Sequence, residues 1–260
     1  MLSVITSSLN ASSTIAATIE SVHAEASPSV EHIVIDGGST DGTREIIESY
    51  SHLIDQVVFE RDDGIADAFN KGISRAGGEF ICILNADDRL EPGVLGRILP
   101  VLEGASEDIL FGDVIYEDPS TGFRHVEHAS VANLHRLMTI FHPAMLVRRS
   151  LHARLGGYEP SYRLAMDSEF AHRALAAGAT FRHLPLPLAT MRLDGRSHRS
   201  LGRSLLEFRR SAIAHGLQGR AGSLATLTRQ WLLHSLLRIP GFRPLWLTLR
   251  RRSADHRPGS

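Results

Sequence analysis

Short apolar runs alternate with amphipathic segments along the first hundred residues. Runs rich in β-branched residues predict strands at residues 4–6, 32–36, 57–59 and 80–84. Between them, apolar side chains recur every three or four residues, which predicts helices around residues 15–26, 46–50 and 65–76. Strands that alternate with helices predict βαβ units, and near-continuous apolar strands fit a parallel sheet covered on both faces.

The second half of the chain has a less regular pattern. Residues 109–111 and 114–116 predict strands, and residues 134–138 and 167–177 predict helices. Beyond Asp194 the chain becomes basic, and only Glu207 and Asp255 oppose its arginines. We therefore divide the chain into a domain over 1–200 and a basic helical C-terminal extension with a flexible tail over 201–260.

Composition places the chain among ordinary globular proteins. It has 260 residues, of which 43% are apolar and 22% charged, and a formal net charge of −1 that gives no case for a nucleic-acid partner. Its single cysteine, Cys82, cannot form an internal disulfide, which favours a reducing compartment. The pattern of a signal peptide is absent, and so is an uncharged apolar window of about 18 residues. We expect a cytoplasmic protein without a membrane span.

Polar residues occur where the predicted strands end. Thr6, Asp36, Asp62 or Asp63, and Asp87 each lie at or just after such an end. Because ligands bind beyond the carboxyl ends of the strands in open sheets of this kind, these groups predict a site at one sheet edge.

The adjacent carboxylates of Asp87 and Asp88 follow a predicted buried strand. Such a pair repels itself unless a cation lies between the two groups or one of them caps the next helix. A hard cation such as Mg²⁺ or Mn²⁺ binds carboxylates and commonly bridges to substrate phosphates. From these residues alone, a metal site and a turn cap at Asp88 both remain open.

Four blocks in order extend this local pattern: residues 4–10, 34–43, 63–72 and 78–88. With them the chain resembles the family 2 glycosyltransferases over most of residues 2–95, and weaker blocks at 142–145 and 167–170 extend the resemblance to about residue 200. The resemblance implies an α/β fold of the GT-A (Rossmann-like) type, with a mostly parallel central sheet, flanking helices and the helical extension. It also implies an inverting, metal-dependent sugar transfer from a nucleotide-diphosphate sugar, with UDP favoured. The implied acceptor is a carbohydrate or lipid-linked hydroxyl, in polysaccharide or glycolipid assembly.

The resemblance also implies roles for individual residues. Asp167 matches the catalytic base, with Glu169 as a competing candidate, and Asp87 matches a ligand of Mn²⁺ or Mg²⁺, with His198 as a further ligand. The positions that match the nucleotide-sugar site are Thr6, Asp36, Asp63, Asp67, Asn70, Lys71, Asn85, Ala86 and His142.

Two positions depart from the family's common pattern. Asn85 replaces the first aspartate of Asp-x-Asp, which removes a negative charge and predicts weaker metal binding. Gly37 replaces a second aspartate after Asp36.

Several positions also have a purely structural interpretation. Asp36 fits a turn, Asn70 a helix end, Lys71 a solvated helix charge and His142 a packed ring. Residues 203–252 fit either contact with an anionic membrane surface or packing on the catalytic domain.

Two other functions fit parts of the pattern. A nucleotidyltransferase that makes nucleotide sugars has a similar αβ sheet. Enzymes of that class resemble one another through a Gly-rich basic loop directly after the first strand. Residues 7–12 contain neither glycine nor a basic residue. A non-catalytic sugar-nucleotide binding protein is the third candidate, and the retained Asp87 and Asp167 argue against it.

Overall fold

The computed structural model describes residues 1–25, 27–193 and 201–219. Within these residues nine strands form one sheet, and seven helices accompany it. The strands are β1 (Leu2–Ser8), β2 (Val30–Asp36), β3 (Gln56–Phe59), β4 (Phe80–Asn85), β5 (Arg89–Leu90), β6 (Ile109–Asp118), β7 (Phe123–Glu127), β8 (Met145–Arg148) and β9 (Phe181–Arg192). The helices are α1 (Ile15–His23), α2 (Thr43–Ser49), α3 (Ile65–Arg75), α4 (Val94–Glu103), α5 (Arg149–Leu155), α6 (Met166–Ala176) and α7 (Leu201–Ala214). Short 3₁₀ turns lie at Ser51–Leu53, Val131–Asn133 and His142–Ala144.

The sheet has the strand order β3-β2-β1-β4-β8-β6-β9-β5, and β7 pairs with β6 outside this path. Strands β3, β2, β1 and β4 are all parallel, which confirms the prediction for the first hundred residues. Beyond β4 the sheet is mixed, because β8 is antiparallel to both β4 and β6, while β6 and β9 are parallel. The two strands predicted over 109–116 are one strand, whose pairing with β9 shifts register around Gly112 and Asp113.

Helices cover the parallel half of the sheet on both faces. Along β2, Ile33 and Ile35 belong to the apolar core that contains Phe69 of α3, whereas Val34 belongs to a second cluster with Ile15 of α1. This alternation follows from the two-residue period of a strand. Helix α3 lies so close to β1 that a Cβ at Gly72 would come within 2.3 Å of a methyl carbon of Ile5. Glycine at this position allows the close contact.

The helix predicted over residues 134–138 is wrong. A 3₁₀ turn ends at Asn133, and the following residues continue in turns. Leu134 is buried there, and its carbonyl oxygen accepts a hydrogen bond from His172 Nε2 at 3.0 Å. A tertiary contact therefore uses a backbone group that a helix would have paired internally.

Helix α7, the first part of the predicted extension, packs on α6. Phe208 and Ala212 of α7 form a small apolar cluster with Ala165, which precedes α6. For residues 201–219 this agrees with the packing interpretation, while residues 220–252 of the basic stretch lie outside the described residues. Of the helices in the described ranges, none is long and apolar enough to cross a membrane.

His152 on α5 is a fully buried ring that stacks on Phe170, with ring centroids 4.6 Å apart. Within the described residues neither of its nitrogens has a hydrogen-bond partner. Burial, aided by the charge of Arg173, lowers the pKa of His152 to about 3. The ring is therefore neutral in the folded protein over a pH range in which an unfolded histidine is protonated.

We expect His152→Leu to weaken the acid sensitivity of the fold. Because the unfolded chain binds a proton below about pH 6.5 and the folded ring does not, the wild type loses up to about 1.4 kcal/mol of unfolding free energy per pH unit between pH 6.5 and 3. Urea unfolding between pH 7 and 4 measures this slope, and His52→Gln, at an exposed histidine, serves as the control. An unchanged slope in His152→Leu would contradict the assignment.

Candidate active site

The segment after β4 forms a tight turn against the end of β1. Ser7 and Asn85 are paired across the two strands, and their side chains are hydrogen-bonded at 2.9 Å. The Ala86 amide donates to the Ser7 carbonyl at 3.0 Å, and the Asp88 amide donates to the Asn85 carbonyl at 2.9 Å. Ala86 is buried against the apolar cluster that contains Ile15. The turn thus fixes the directions of the two aspartates that follow.

His142 lies between Asp88 and Asp167. Its Nε2 is 3.4 Å from Asp88 Oδ2, and its Nδ1 is 3.7 Å from Asp167 Oδ2. The structure therefore brings together the predicted base and the predicted metal loop, which are about 80 residues apart in the chain. The sequence left a metal site and a turn cap both open for Asp88; its side chain is 5% exposed and faces His142.

The charge of His142 follows from these neighbours. Burial lowers its pKa, but hydrogen bonds to Asp167 and Asp88 and the charges of both carboxylates outweigh burial and raise the pKa of His142 to about 9. The two carboxylates therefore favour a protonated His142 ring near neutral pH. The Asn85 amide nitrogen lies 2.9 Å from His142 Nε2. The Asn85 amide oxygen accepts a hydrogen bond from the Ser7 hydroxyl at 2.9 Å.

Asp87 has the environment of a cation ligand. Burial and the charge of Asp88 raise the pKa of Asp87 to about 6, against the opposing charges of His142 and Arg192. A bound cation would stabilise the ionised form of such a carboxylate. In the described part of the chain, no group of three or more His, Cys, Asp or Glu side chains could hold a metal. A single partly buried carboxylate such as Asp87 could contribute one oxygen ligand to Mg²⁺ or Mn²⁺, cations that commonly take further ligands from substrate phosphates.

The loops after β2 and β3 meet at the same edge. Asp36 is buried, and one carboxylate oxygen accepts hydrogen bonds from the amides of Gly38 and Ser39 at 3.1 and 2.9 Å. A Cβ at Gly37 would lie 2.0 Å from Asp62 Oδ2. The Asp62 carboxylate thus occupies the space of a side chain at Gly37, which accounts for the missing second aspartate.

Thr6 and Asn70, two residues predicted to bind the nucleotide sugar, make contacts within the protein. Thr6 is fully buried, and its hydroxyl is hydrogen-bonded to His32 Nε2 at 2.9 Å rather than directed beyond the strand end. Asn70 forms two hydrogen bonds with the backbone of Tyr158, both 2.8 Å long. Asn70 therefore fastens the loop after α5 to α3.

Lys71, Asp67 and Asp63 form a connected group at the start of α3. The Lys71 ammonium contacts Glu60 at 2.9 Å and Asp67 at 3.1 Å and donates to the Arg61 carbonyl at 2.8 Å. Asp67 also accepts from the Asp63 amide at 3.1 Å. Lys71 is thus engaged in holding the 60–67 loop, instead of being the solvated charge that the sequence allows.

Glu169, the competing candidate for the base, is buried and paired. Both of its oxygens bind the Arg173 guanidinium, at 2.9 and 2.8 Å, and one of them also contacts His215 at 3.1 Å. Asp167 is more open, with a side chain that is 21% exposed. The two carboxylates thus differ in their surroundings: Glu169 is enclosed by Arg173 and His215, whereas the Asp167 side chain is partly accessible. The further predicted metal ligand, His198, lies outside the described residues.

The fold is an open α/β sheet, and its polar loops gather at the carboxyl ends of the parallel strands. Residues 3–158 match the description "Glycosyl transferase family 2", so the chain belongs to that family. It is 33% identical over 184 residues to the PGL/p-HBAD biosynthesis glycosyltransferase of Mycobacterium tuberculosis, which covers 68% of this chain and 70% of the relative. It is 40% identical over 102 residues to a putative teichuronic acid biosynthesis glycosyltransferase, TuaG, of Bacillus subtilis, which covers 38% of this chain and 40% of that protein.

Solved structures share the fold. The S. aureus TarS 1–349 structure in complex with UDP-GlcNAc has a TM-score of 0.67 at 18% identity, over 87% of this chain and 70% of that one. The mannosyltransferase PcManGT from Pyrobaculum calidifontis, in complex with GDP-Man and Mn²⁺, has a TM-score of 0.66 at 17% identity, over 97% of this chain and 80% of that one. These similarities confirm the predicted GT-A fold.

We expect Glu169→Gln to destabilise the fold, because it leaves the Arg173 guanidinium without its carboxylate partner. Breaking such a buried pair from one side costs about 3 kcal/mol. Chemical unfolding measures the loss, and Glu159→Gln, at an exposed residue, is the matched control. A loss below about 0.5 kcal/mol would contradict the structural role of Glu169.

Proposed function

We propose that the protein is an inverting, metal-dependent glycosyltransferase that moves a sugar from a nucleotide-diphosphate sugar to a hydroxyl acceptor. The observation that carries this proposal is the contact of His142 with both Asp88 and Asp167. It places a carboxylate able to accept a proton beside the loop that carries Asp87. An acyl- or nucleotidyl-transfer function has no comparable support in this arrangement.

The donor binds at the carboxyl ends of the parallel strands. TarS structures with UDP-GlcNAc and with UDP, and the PcManGT complex with GDP-Man, support a nucleotide sugar, and we favour a UDP-sugar. Asp36 and the Asp63 to Asp67 loop flank the nucleotide in this proposal. Asn70 and Lys71 support that loop through the contacts described above.

Asp87 holds Mn²⁺ or Mg²⁺ in this proposal, as the Mn²⁺ complex of PcManGT supports. A divalent cation held by Asp87 would supply charge neutralisation for the departing diphosphate. The chain's own part is to present the Asp87 carboxylate, while the single charge of a protonated His142 is shared between Asp88 and Asp167. Asn85 places a neutral amide beside His142, where an aspartate would be a third carboxylate competing for the ring.

Asp167 acts as the base. It takes the proton of the acceptor hydroxyl while that oxygen forms a bond to the anomeric carbon and the bond from that carbon to the diphosphate oxygen breaks. Attack from the face opposite the diphosphate inverts the anomeric centre. A positioned base of this kind contributes about 10²–10⁴ in rate.

The acceptor belongs to polysaccharide or glycolipid assembly in this proposal. The mycobacterial PGL/p-HBAD relative and the teichuronic acid relative support this class. A carbohydrate or lipid-linked acceptor agrees with a cytoplasmic enzyme that contacts the inner face of a membrane through residues 203–252.

We expect nucleotide sugars to raise the melting temperature in a metal-dependent way. A ligand at 100 times its Kd stabilises the folded state by about 2.7 kcal/mol. The measurement is a thermal-shift panel of UDP- and GDP-sugars with and without Mn²⁺, followed by calorimetry of UDP binding. Asp87→Ala removes the metal-dependent part, and Glu103→Ala, at an exposed residue of α4, does not. Unchanged Mn²⁺-dependent UDP binding in Asp87→Ala would exclude the metal role.

We expect Asp167→Asn to retain donor affinity and to lose transfer by about 10²-fold or more, because an amide cannot accept the acceptor's proton. Steady-state release of the nucleotide diphosphate, with the donor identified by the panel, measures kcat. Glu159→Gln, at an exposed residue, is the matched control and is expected to keep its kcat. Turnover of Asp167→Asn within a factor of two of the wild type would show that Asp167 is not the base.

A further inference from the structure

Glu207 of α7 reaches the backbone that leads into α6. Its Oε2 accepts hydrogen bonds from the amides of Leu164 at 2.8 Å and Ala165 at 3.1 Å. The Glu207 side chain is only 11% exposed, and its other oxygen lies 3.4 Å from Arg203. Hydrogen bonds from amides to a buried carboxylate are short and strong. They hold the two residues that immediately precede the first turn of α6.

This anchor acts on the residues just before α6. Ala165 is the N-cap residue of α6 and, being alanine, makes no side-chain cap. An N-cap side chain would accept from the second or third amide of the helix, and here Asp167 Oδ1 accepts from the Ser168 amide at 2.7 Å. Glu207 accepts from the two amides that come before that turn, and in a capping box the amide of the N-cap residue is bound by a local glutamate. Glu207 thus supplies from a distant part of the chain an acceptor for the N-cap amide.

The rest of the same α7 face holds the body of α6. Ser211 is hydrogen-bonded to His172 at 2.9 Å, and Phe208 packs edge-on against the same ring at 4.7 Å. His215 contacts Glu169 at 3.1 Å. Glu207, Phe208 and Ser211 lie close together on one face of α7, and His215 directly follows the end of that helix. The contacts of Ser211 and His215 lie further along α6 than the residue proposed as the base.

We infer that Glu207 is a positioning residue that sets the place of the Asp167 carboxylate through the Leu164 and Ala165 backbone. This rests on the proposed function, in which Asp167 is the base. A base displaced by about 1 Å can lose about 10²-fold in rate, whereas the nucleotide site on β1, β2 and β4 lies on other elements. Glu207 therefore acts on turnover and not on donor binding. Glu207 is the single acidic residue in the described part of α7, where it lies among arginines.

The test compares Glu207→Ala, Glu207→Gln and Ser211→Ala in the full-length protein. Glu207→Ala is expected to lower kcat by about 10- to 100-fold while the calorimetric Kd for UDP with Mn²⁺ stays within about twofold. Glu207→Gln is expected to keep most of the turnover, since its amide oxygen accepts the same two hydrogen bonds. Ser211→Ala removes a contact of the same helix pair and is expected to keep kcat within about twofold after correction for the folded fraction.

A second measurement does not depend on turnover. Amide hydrogen exchange in a peptide covering residues 160–170 is expected to speed up in Glu207→Ala and to stay near wild type in Glu207→Gln and Ser211→Ala. If Glu207→Ala and Ser211→Ala lost kcat equally, in proportion to their loss of melting temperature, Glu207 would contribute only to general stability. That result would overturn the inference. Unchanged exchange at 160–170 in Glu207→Ala would overturn it as well. A wild type that transfers no sugar from any donor would instead refute the proposed function, and the exchange data would still decide whether Glu207 holds this segment.

Discussion

The imidazolium of His142 lies between carboxylates that belong to different parts of the molecule. Asp88 follows the last strand of the parallel half, Asp167 begins α6, and His142 immediately precedes β8, the strand that joins the two halves of the sheet. The buried carboxylate of Asp88 is stable only when it is paired or hydrogen-bonded. Because the His142 ring contacts both Asp88 and Asp167, it also ties α6 to the end of β4. The site therefore exists only once both halves of the sheet have assembled.

Helix α6 is held from several directions, which suits a helix that carries a reacting group. Arg173 donates to the carbonyls of Leu155 and Gly157 as well as to Glu169, so α6 is fixed to the loop after α5. Asn70 fastens the next residue of that loop to α3. The position of Asp167 thus depends on contacts from α3, α5 and α7. Side chains that looked like ligand contacts in the sequence, such as Asn70, contribute by building this support.

The two departures from the family pattern both have local explanations in the fold. The Asp62 carboxylate fills the space beside Gly37, so an acidic group is present at that edge although it comes from another loop. Asn85 replaces a carboxylate at a position that contacts His142. A third carboxylate there would add to the negative charge around His142, whereas the amide is neutral. For these reasons, glycine at position 37 and asparagine at position 85 are compatible with the chemistry expected of the family.

The sequence by itself determined the parallel half of the fold and the place of the site. Apolar periods of two and of three to four residues define β1 to β4 and α1 to α3, and strand ends rich in aspartate mark the edge where ligands bind. Only the tertiary structure decided what individual side chains do. Periodicity cannot show that Lys71 pairs with Glu60, that Glu169 pairs with Arg173, or that Glu207 reaches the start of α6. These roles depend on distances between segments far apart in the chain, and such distances are set by packing rather than by local pattern.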